Sequence, residues 1–183
     1  KPQNLHGAVL GGTLKTGSLK VGDTIEIKPG LPIKEANQIK YKTIKTKIAS
    51  MFKGSHKIEI LTPGGSASIE TELDMALGKS DAFSGCIVSH EKVLPEITTK
   101  LKMKYSLFKE IPGALMQIPP LKMSETLMLS INTSVTVGMI TKLTQNEAEL
   151  SLKIPIVPFK QSKIGIARNV NNHWRLIGYG EIV

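Results

Sequence analysis

Hydrophobic and polar residues alternate with a period of two along much of this chain. The alternation is clear in the stretch Gly7–Gly30, where Ile25 and Ile27 alternate with polar residues. A period of two is typical of a strand with one buried face. Glycine at Gly17 favours a turn before this strand, and Pro29-Gly30 favours its end. We therefore expect two antiparallel strands joined by a turn within the stretch.

The same alternation recurs further along and predicts an all-β chain. Leu31–Lys40 is polar without apolar periodicity, so we expect a loop there. Short alternating segments follow, separated by turn signals such as Thr62-Pro63-Gly64-Gly65. On the segment that ends at Leu73, Glu70 and Glu72 are expected to face solvent. No segment has a sustained helical period, and many short strands with frequent turns favour a barrel or a sandwich.

The dipeptide Leu94-Pro95 is the best candidate for a domain boundary. Proline cannot donate to a strand ladder, and it restricts the residue before it. A new alternation starts directly afterwards, with a lysine-rich face opposite Leu101 and Met103, and about six strands follow to the end of the chain. We therefore expect two β domains, residues 1–94 and 95–183.

Composition and charge narrow the class of protein. The hydrophobic fraction is 40% but aromatic residues are only 4%, so the core must be aliphatic. Cys86 is the one cysteine, which excludes an intrachain disulfide and fits a reducing compartment. No apolar run is long enough to cross a bilayer. The net charge of +9 is concentrated in residues 1–60, which hold eleven lysines against four acids; this favours an acidic partner.

Catalytic and metal chemistry have no support in the sequence. Gly12 and Gly17 have the spacing of a phosphate-binding loop, but Ser18-Leu19 and a strand follow, where that motif needs lysine and a helix. The four histidines and Cys86 show no metal-ligand spacing. A G-x-S-x-G nucleophile motif is absent from the sequence. We therefore expect a binding protein rather than an enzyme.

Two glycine pairs, Gly11-Gly12 and Gly64-Gly65, have two interpretations. Glycine weakens a strand unless something must approach the backbone closely. The pairs could expose main chain to a ribose, a base or a neighbouring domain. They could equally form bulges that curl a small barrel. The sequence alone leaves both open.

The tryptophan Trp174, next to Arg175, also has two interpretations. It is the only tryptophan in the chain. An indole beside a guanidinium can stack on a base or on a partner's side chain. A tryptophan that closes one end of an aliphatic barrel is the favoured interpretation.

Several motifs in order resemble one family. The opening stretch GAVLGGTLKTGSLKVGDTIEIKPG is similar to the start of the second domain in the gamma subunit of eukaryotic and archaeal translation initiation factor two, and more distantly to elongation factor Tu. LPEITTKL and SETLMLSINTS resemble the start and a central strand of its third domain. KIGIARNVNNHWRLIGYGEI is similar to its closing signature. The resemblance runs from about Leu5 to Val183.

This resemblance implies a fold of two tandem antiparallel β-barrels, residues 1–94 and 95–183, with the first strand of the first barrel missing. Members of the family carry methionyl initiator tRNA to the small ribosomal subunit in the cytoplasm, with GTP and magnesium bound by an N-terminal domain. The sequence has no D-x-x-G and no N-K-x-D guanine-binding motif. We therefore expect neither GTP binding nor any cofactor in this chain.

The resemblance also implies where partners bind. The tRNA acceptor end is expected against Gly11, Gly12, Thr13, Gly64 and Gly65. RNA phosphates are expected against the basic surface formed by Lys15, Lys42, Lys45 and Lys47, and a protein partner against Trp174 and Arg175. Expected partners are initiator methionyl-tRNA, the alpha and beta subunits, the small ribosomal subunit and an assembly chaperone on the third domain; no membrane partner is expected.

A second hypothesis gives the chain another class of function. The barrels could form a protein-interaction module that binds the alpha subunit or an assembly chaperone without touching tRNA. Binding measured with glycine and lysine variants of the first barrel would separate the two.

Overall fold

A computed structural model describes residues 7–36, 38–111 and 116–183 of the chain. The described residues form fourteen strands and one short 3₁₀ helix, so the all-β prediction is confirmed. They divide between Leu94 and Pro95 into two compact units. No helix in the described ranges has the length and apolar character that crossing a membrane requires.

The first unit is built on a curled antiparallel sheet. The sheet order is β1-β7-β4-β3-β8, with β5 paired to β4, and β2 and β6 form a separate two-stranded ladder. Within the described residues the sheet stays open, with β1 and β8 at its two ends. Its elements are β1 (Val9–Thr13), β2 (Leu19–Lys20), β3 (Thr24–Glu35), β4 (Gln38–Lys53), β5 (His56–Ile58), β6 (Ile60–Leu61), β7 (Ser66–Thr71), the 3₁₀ helix (Met75–Asp81) and β8 (Ile87–His90).

Aliphatic side chains on one face of this sheet form the core of the first unit. Ile25 on β3 and Met51 on β4 are fully buried, and the burial of Ile25 confirms the core face predicted for β3. The burial of apolar area of this kind stabilises a fold by about 25 cal/mol per Å². The cluster comprises Leu19, Ile25, Ile48, Met51, Leu61, Ala67 and Ile69.

The pairing expected within Gly7–Gly30 is wrong. β1 does not pair with β3 but with β7, in the register Gly12 opposite Ala67 and Thr13 opposite Ser66. Alternation indicates which residues form a strand but carries no information about a distant pairing partner. The strands themselves are present, and only their partner differs from the prediction.

The loop expected at Leu31–Lys40 is also wrong. β3 continues through Pro29-Gly30 to Glu35 and forms a two-stranded arm with the start of β4. Between Ile27 and Leu31, β3 has two more residues than the segment of β4 that it pairs with, and the register shifts to accommodate them. The arm is largely exposed on both faces, so its sequence lacks the one-sided pattern that marks a half-buried strand.

The second unit is a closed six-stranded antiparallel barrel in the order β10-β11-β12-β9-β14-β13. The six strands match the number expected from the sequence, and the interior is aliphatic, with Leu127, Leu129 and Ile166 fully buried. Its strands are β9 (Thr98–Leu107), β10 (Thr126–Ile131), β11 (Ser134–Leu143), β12 (Glu147–Ile156), β13 (Lys163–Val170) and β14 (His173–Ile182).

The second unit has a proline-rich segment at residues 111–120. It is described only at its two ends, because residues 112–115 lie outside the described ranges. The side chain of Arg168 holds its C-terminal end. The guanidinium donates to the carbonyl oxygens of Pro119 and Pro120 at 2.8 and 3.1 Å, and it forms a two-point ion pair with Glu125.

Candidate functional site

The structure brings the two glycine pairs together at one end of the β1–β7 ladder. Thr13 lies opposite Ser66, and Gly64-Gly65 form the turn that leads directly into Ser66. Gly11-Gly12 and this turn therefore line the same end of the sheet. The two pairs lie far apart in the sequence, and the non-local pairing of β1 with β7 makes them neighbours.

The main chain at this surface is open. A Cβ atom built at Gly11 or Gly12 would have no atom within 4 Å, and the same holds at Gly64 and Gly65. At Gly64 and Gly65 the backbone needs glycine, since φ is 125° and 72°. At Gly11-Gly12 neither φ nor crowding requires glycine, so their lack of side chains leaves room for something outside the sheet.

The interpretation of the glycine pairs as bulges is not supported. The β1–β7 register runs from Val9 to Thr13 without interruption, and Gly64-Gly65 belong to a turn. β1 is also an end strand of the sheet and pairs with β7 alone among the described strands. An end strand presents unpaired N–H and C=O groups along its outer edge. We call Gly11–Thr13 with Gly64-Gly65 the glycine surface.

The four lysines expected to form one basic surface do not share a face. Lys15 follows β1 directly and is exposed. On β4, Lys45 and Lys47 point to the face opposite the core, whereas Lys42 has the parity of the core residue Ile48. Lys42 is nevertheless exposed because it lies in the arm, beyond the core. The prediction of a single surface containing Lys42, Lys45 and Lys47 is therefore wrong.

Lys45 is engaged by two carboxylates. Its Nζ lies 2.6 Å from Glu91 and 3.5 Å from Glu26. The hydrogen bond to Glu91 raises the pKa of Lys45, and the same contact lowers the pKa of the Glu91 carboxyl. Its charge is therefore already compensated within the protein, unlike that of Lys15, Lys42 and Lys47, for which the described residues contain no acidic partner within ion-pair distance.

Glu70 does not face solvent as the alternation predicted. Its side chain is buried and accepts a hydrogen bond of 2.5 Å from Ser50 on the neighbouring strand β4.

Elsewhere in the first unit, Asp23 lies 2.9 Å from Nε2 of His90 and accepts a hydrogen bond from the amide of Lys20. These contacts lower the pKa of Asp23. Within the described ranges no three acidic, histidine or cysteine side chains are grouped so that they could hold a metal ion.

Trp174 does not close an end of the barrel, so the favoured interpretation is wrong. Its side chain is 39% exposed on the outside of β14, and Arg175 beside it is exposed as well. Leu176 and Tyr179 on the same strand are 47% and 56% exposed, and Phe108 packs against Tyr179 with ring centroids 6.0 Å apart. We call Trp174, Leu176 and Tyr179 the outer apolar strip.

Comparison with solved structures identifies the type of fold. The fold matches that of the bacterial selenocysteine-specific elongation factor EF-Sec with a TM-score of 0.70, over 97% of this chain and 25% of that one. The sequences are 16% identical, so this match shows the fold alone. The chain is a pair of β domains of the translation-factor type.

Sequence comparisons identify the family. Residues 99–182 match the family model described as initiation factor eIF2 gamma, C terminal. The chain is 43% identical over 180 residues to translation initiation factor 2 subunit gamma of Methanococcus aeolicus, and 40% identical over 183 residues to that of Pyrococcus furiosus. These alignments cover 97% and 99% of this chain.

Over nearly its whole length the chain is therefore similar to the gamma subunit of translation initiation factor two, and the resemblance found in its motifs is confirmed. It spans less than half the length of these relatives, since each alignment covers 44% of the relative.

Proposed function

We propose that the chain acts in translation initiation by binding, and that the glycine surface receives the methionylated acceptor end of initiator tRNA. The supporting observation is the open main chain at Gly11-Gly12, where the fold itself does not require glycine. A ribose or an aminoacyl group can lie flat against such a backbone and form hydrogen bonds with the unpaired edge of β1.

Phosphate contacts come from lysines that the protein leaves uncompensated. Lys15, two residues after the glycine surface, provides one such charge. Lys42 and Lys47 are the other candidates, on opposite faces of β4, whereas Lys45 is held by Glu26 and Glu91. Phosphate contacts supply affinity that depends on salt and carry no sequence information. Recognition of the methionylated end must therefore come from the glycine surface.

The chain acts without catalysis and without a cofactor of its own in this proposal. GTP, magnesium and the beta subunit are assigned to parts of the family's proteins that lie outside the residues aligned here, and the site of action is the cytoplasm. The family resemblance implies that the acceptor end lies between the GTP-binding domain and the second domain. The glycine surface supplies only the second-domain side, so weak binding is expected, and nanomolar affinity of this chain for initiator tRNA at physiological salt would contradict the proposal.

Gly12→Val tests the glycine surface directly. A valine fits a strand, and its Cβ has no neighbouring atom within 4 Å at this position, so the fold is expected to survive while the approach of a ligand is blocked. We expect the variant to bind methionylated initiator tRNA about tenfold more weakly at low salt, a loss of about 1.4 kcal/mol.

Ser130→Val is the matched control, because it places the same side chain on an exposed strand position in the second unit. Circular dichroism and fluorescence anisotropy with labelled tRNA provide the two readouts. A folded Gly12→Val variant that binds as tightly as the Ser130→Val control would refute the assignment of the glycine surface.

A protein-interaction module remains a second candidate function, because the outer apolar strip favours it. Exposed aromatic and aliphatic side chains with an arginine beside them are typical of the centre of a protein interface. Trp174→Ser should weaken capture of an assembly chaperone and leave tRNA binding unchanged. If Trp174→Ser leaves the chaperone bound with unchanged affinity, the strip has no part in binding it.

A further inference from the structure

Two charged residues on the outer face of β3 are buried where the alternation predicts solvent exposure. Ile25 and Ile27 point into the core and are fully buried, so Glu26 and Lys28 point to the opposite face. They are nevertheless only 5% and 3% exposed. Charges are rarely buried to this extent unless specific partners compensate them.

The segment that follows β8 provides this cover. We call Glu91–Leu94 the strap. The amide of Lys92 donates to Oε2 of Glu26 at 3.1 Å, and Nζ of Lys28 donates to the carbonyl oxygen of Leu94 at 3.3 Å. The side chain of Leu94 is 8% exposed. Both bonds join a charged side chain to the backbone of the strap.

The direction of the strap follows from these contacts. β8 runs antiparallel to β3, with His90 opposite Ile25 and Ile87 opposite Lys28. If the chain continued straight beyond His90, it would pass the first residue of β3, Thr24, and make no further contact with that strand. Instead Lys92 lies at Glu26 and Leu94 lies at Lys28, so the chain reverses and returns along the outer face of β3. The reversal is made at Lys92, whose φ is 63°.

Lys45 on β4 extends these contacts to a second strand. It bridges Glu26 on β3 and Glu91 at the start of the strap, at 3.5 and 2.6 Å. The strap is therefore bonded at three of its four residues, Glu91, Lys92 and Leu94, by side chains from two neighbouring strands.

We propose that Glu26, Lys28, Lys45 and Glu91 form a latch that locks the strap on β3 and makes Leu94 a fixed exit point of the first unit. Buried charged side chains often add little stability compared with apolar residues of the same size, but the geometry of their hydrogen bonds can select one arrangement. Packing of Leu94 by itself would let the strap slide along β3, whereas a donor at Lys28 and an acceptor at Glu26 fix its register.

The double variant Glu26→Met/Lys28→Met separates locking from stability. Replacing both charges avoids leaving either one buried without its original partners, so we expect the urea midpoint of the full chain to stay close to that of the wild type. We expect the amide of Lys92 to exchange its hydrogen about tenfold faster, since its bond to a charged acceptor is lost. Hydrogen exchange followed by NMR gives this residue-level readout, with Val93 and Leu94 as neighbouring probes.

A matched control and a second variant keep the test decisive. Glu35→Met/Lys40→Met removes an exposed ion pair of 2.8 Å in the arm and should leave exchange in the strap unchanged. If the Glu26/Lys28 variant does not fold, Lys45→Met removes only the contacts made by Lys45, and it should still accelerate exchange at Lys92. Wild-type exchange across the strap in a folded variant of either kind would overturn the latch.

Discussion

At the scale of single residues, glycines in this chain have different roles, and Gly30 is required by the fold itself. Its φ is 88°, and a Cβ atom there would lie 1.9 Å from the carbonyl oxygen of Lys42. We expect Gly30→Ala to lower the free energy of unfolding by roughly 2 kcal/mol or more, because strain and overlap act together.

Gly12→Ala is the control for this effect, since it has neither positive φ nor a close neighbour. Its free energy of unfolding should stay within about 1 kcal/mol of the wild type. Urea unfolding measures both variants. Similar midpoints for the two alanine variants would show that crowding at Gly30 is relieved at little cost.

The contact between Asp23 and His90 makes a prediction about pH. Hydrogen bonds from His90 and from the amide of Lys20 lower the pKa of Asp23 below its usual 3.8. A carboxyl with a depressed pKa stabilises the fold above its unfolded pKa and loses that contribution as the pH falls through the folded value. Asp23→Asn should therefore be less stable than the wild type near neutral pH.

The difference between Asp23→Asn and the wild type should shrink as the pH falls below 3.8, where the wild-type carboxyl also becomes neutral. Urea midpoints of both proteins across this range provide the measurement. A constant difference from neutral to acid pH would mean that the charge of Asp23 contributes nothing to stability.

Burial of single residues shows where the sequence stops being informative. The alternation correctly placed Ile25 and Ile27 in the core. This prediction needs no knowledge of the partner, because an apolar side chain can be buried against any apolar neighbour. It misplaced Glu26 and Glu70, which are covered on the opposite face. For Glu26 that cover comes from a segment more than sixty residues away, and no local pattern encodes such a contact.

At the scale of elements, Arg168 shows how one side chain organises a loop. It binds the carbonyl oxygens of Pro119 and Pro120 and pairs with Glu125 through two nitrogen atoms, and both ionised side chains are mostly buried. We expect Arg168→Met to lower the free energy of unfolding by about 2 kcal/mol or more, since Glu125 loses its partner.

The pairing is tested by a double-mutant cycle. Glu125→Met should partly rescue the stability of Arg168→Met, because the uncompensated carboxylate is then removed. Thermal unfolding of the two single variants and of the double variant gives the coupling energy. Additive effects of the two changes would show that the ion pair itself contributes no coupling.

Strands were predictable as elements, but their partners were not. Period-two alternation located most of the strands in both units, since it reflects one buried and one exposed face. It failed for the arm of β3 and β4, where both faces are exposed. It located β1 but not the partner of β1, since β7 follows more than fifty residues later. The candidate site could not be predicted for this reason, because only the β1–β7 pairing brings Gly11-Gly12 next to Gly64-Gly65.

At the scale of the whole molecule, net charge indicates an acidic partner but does not locate it. The excess of lysine in residues 1–60 is plain in the sequence. The face on which each lysine lies depends on its odd or even position along the strand. Whether its charge is compensated depends on the acidic residues that the fold brings close to it. Parity separates Lys42 from Lys47, and Glu26 and Glu91 compensate Lys45. The uncompensated charges of Lys42 and Lys47 therefore lie on two different faces.

This division makes a prediction about the salt dependence of RNA binding. Each phosphate contact that is lost should reduce the slope of log affinity against log salt concentration by nearly one. Lys15→Ala should do so because Lys15 adjoins the glycine surface. Lys45→Ala should change the slope little. Since Lys42 and Lys47 lie on opposite faces, one RNA footprint includes one of them, and only one of the two alanine variants should lower the slope. Equal reductions for both, measured by anisotropy across a salt series, would mean that the RNA contacts both faces of β4 and would contradict a footprint on one face.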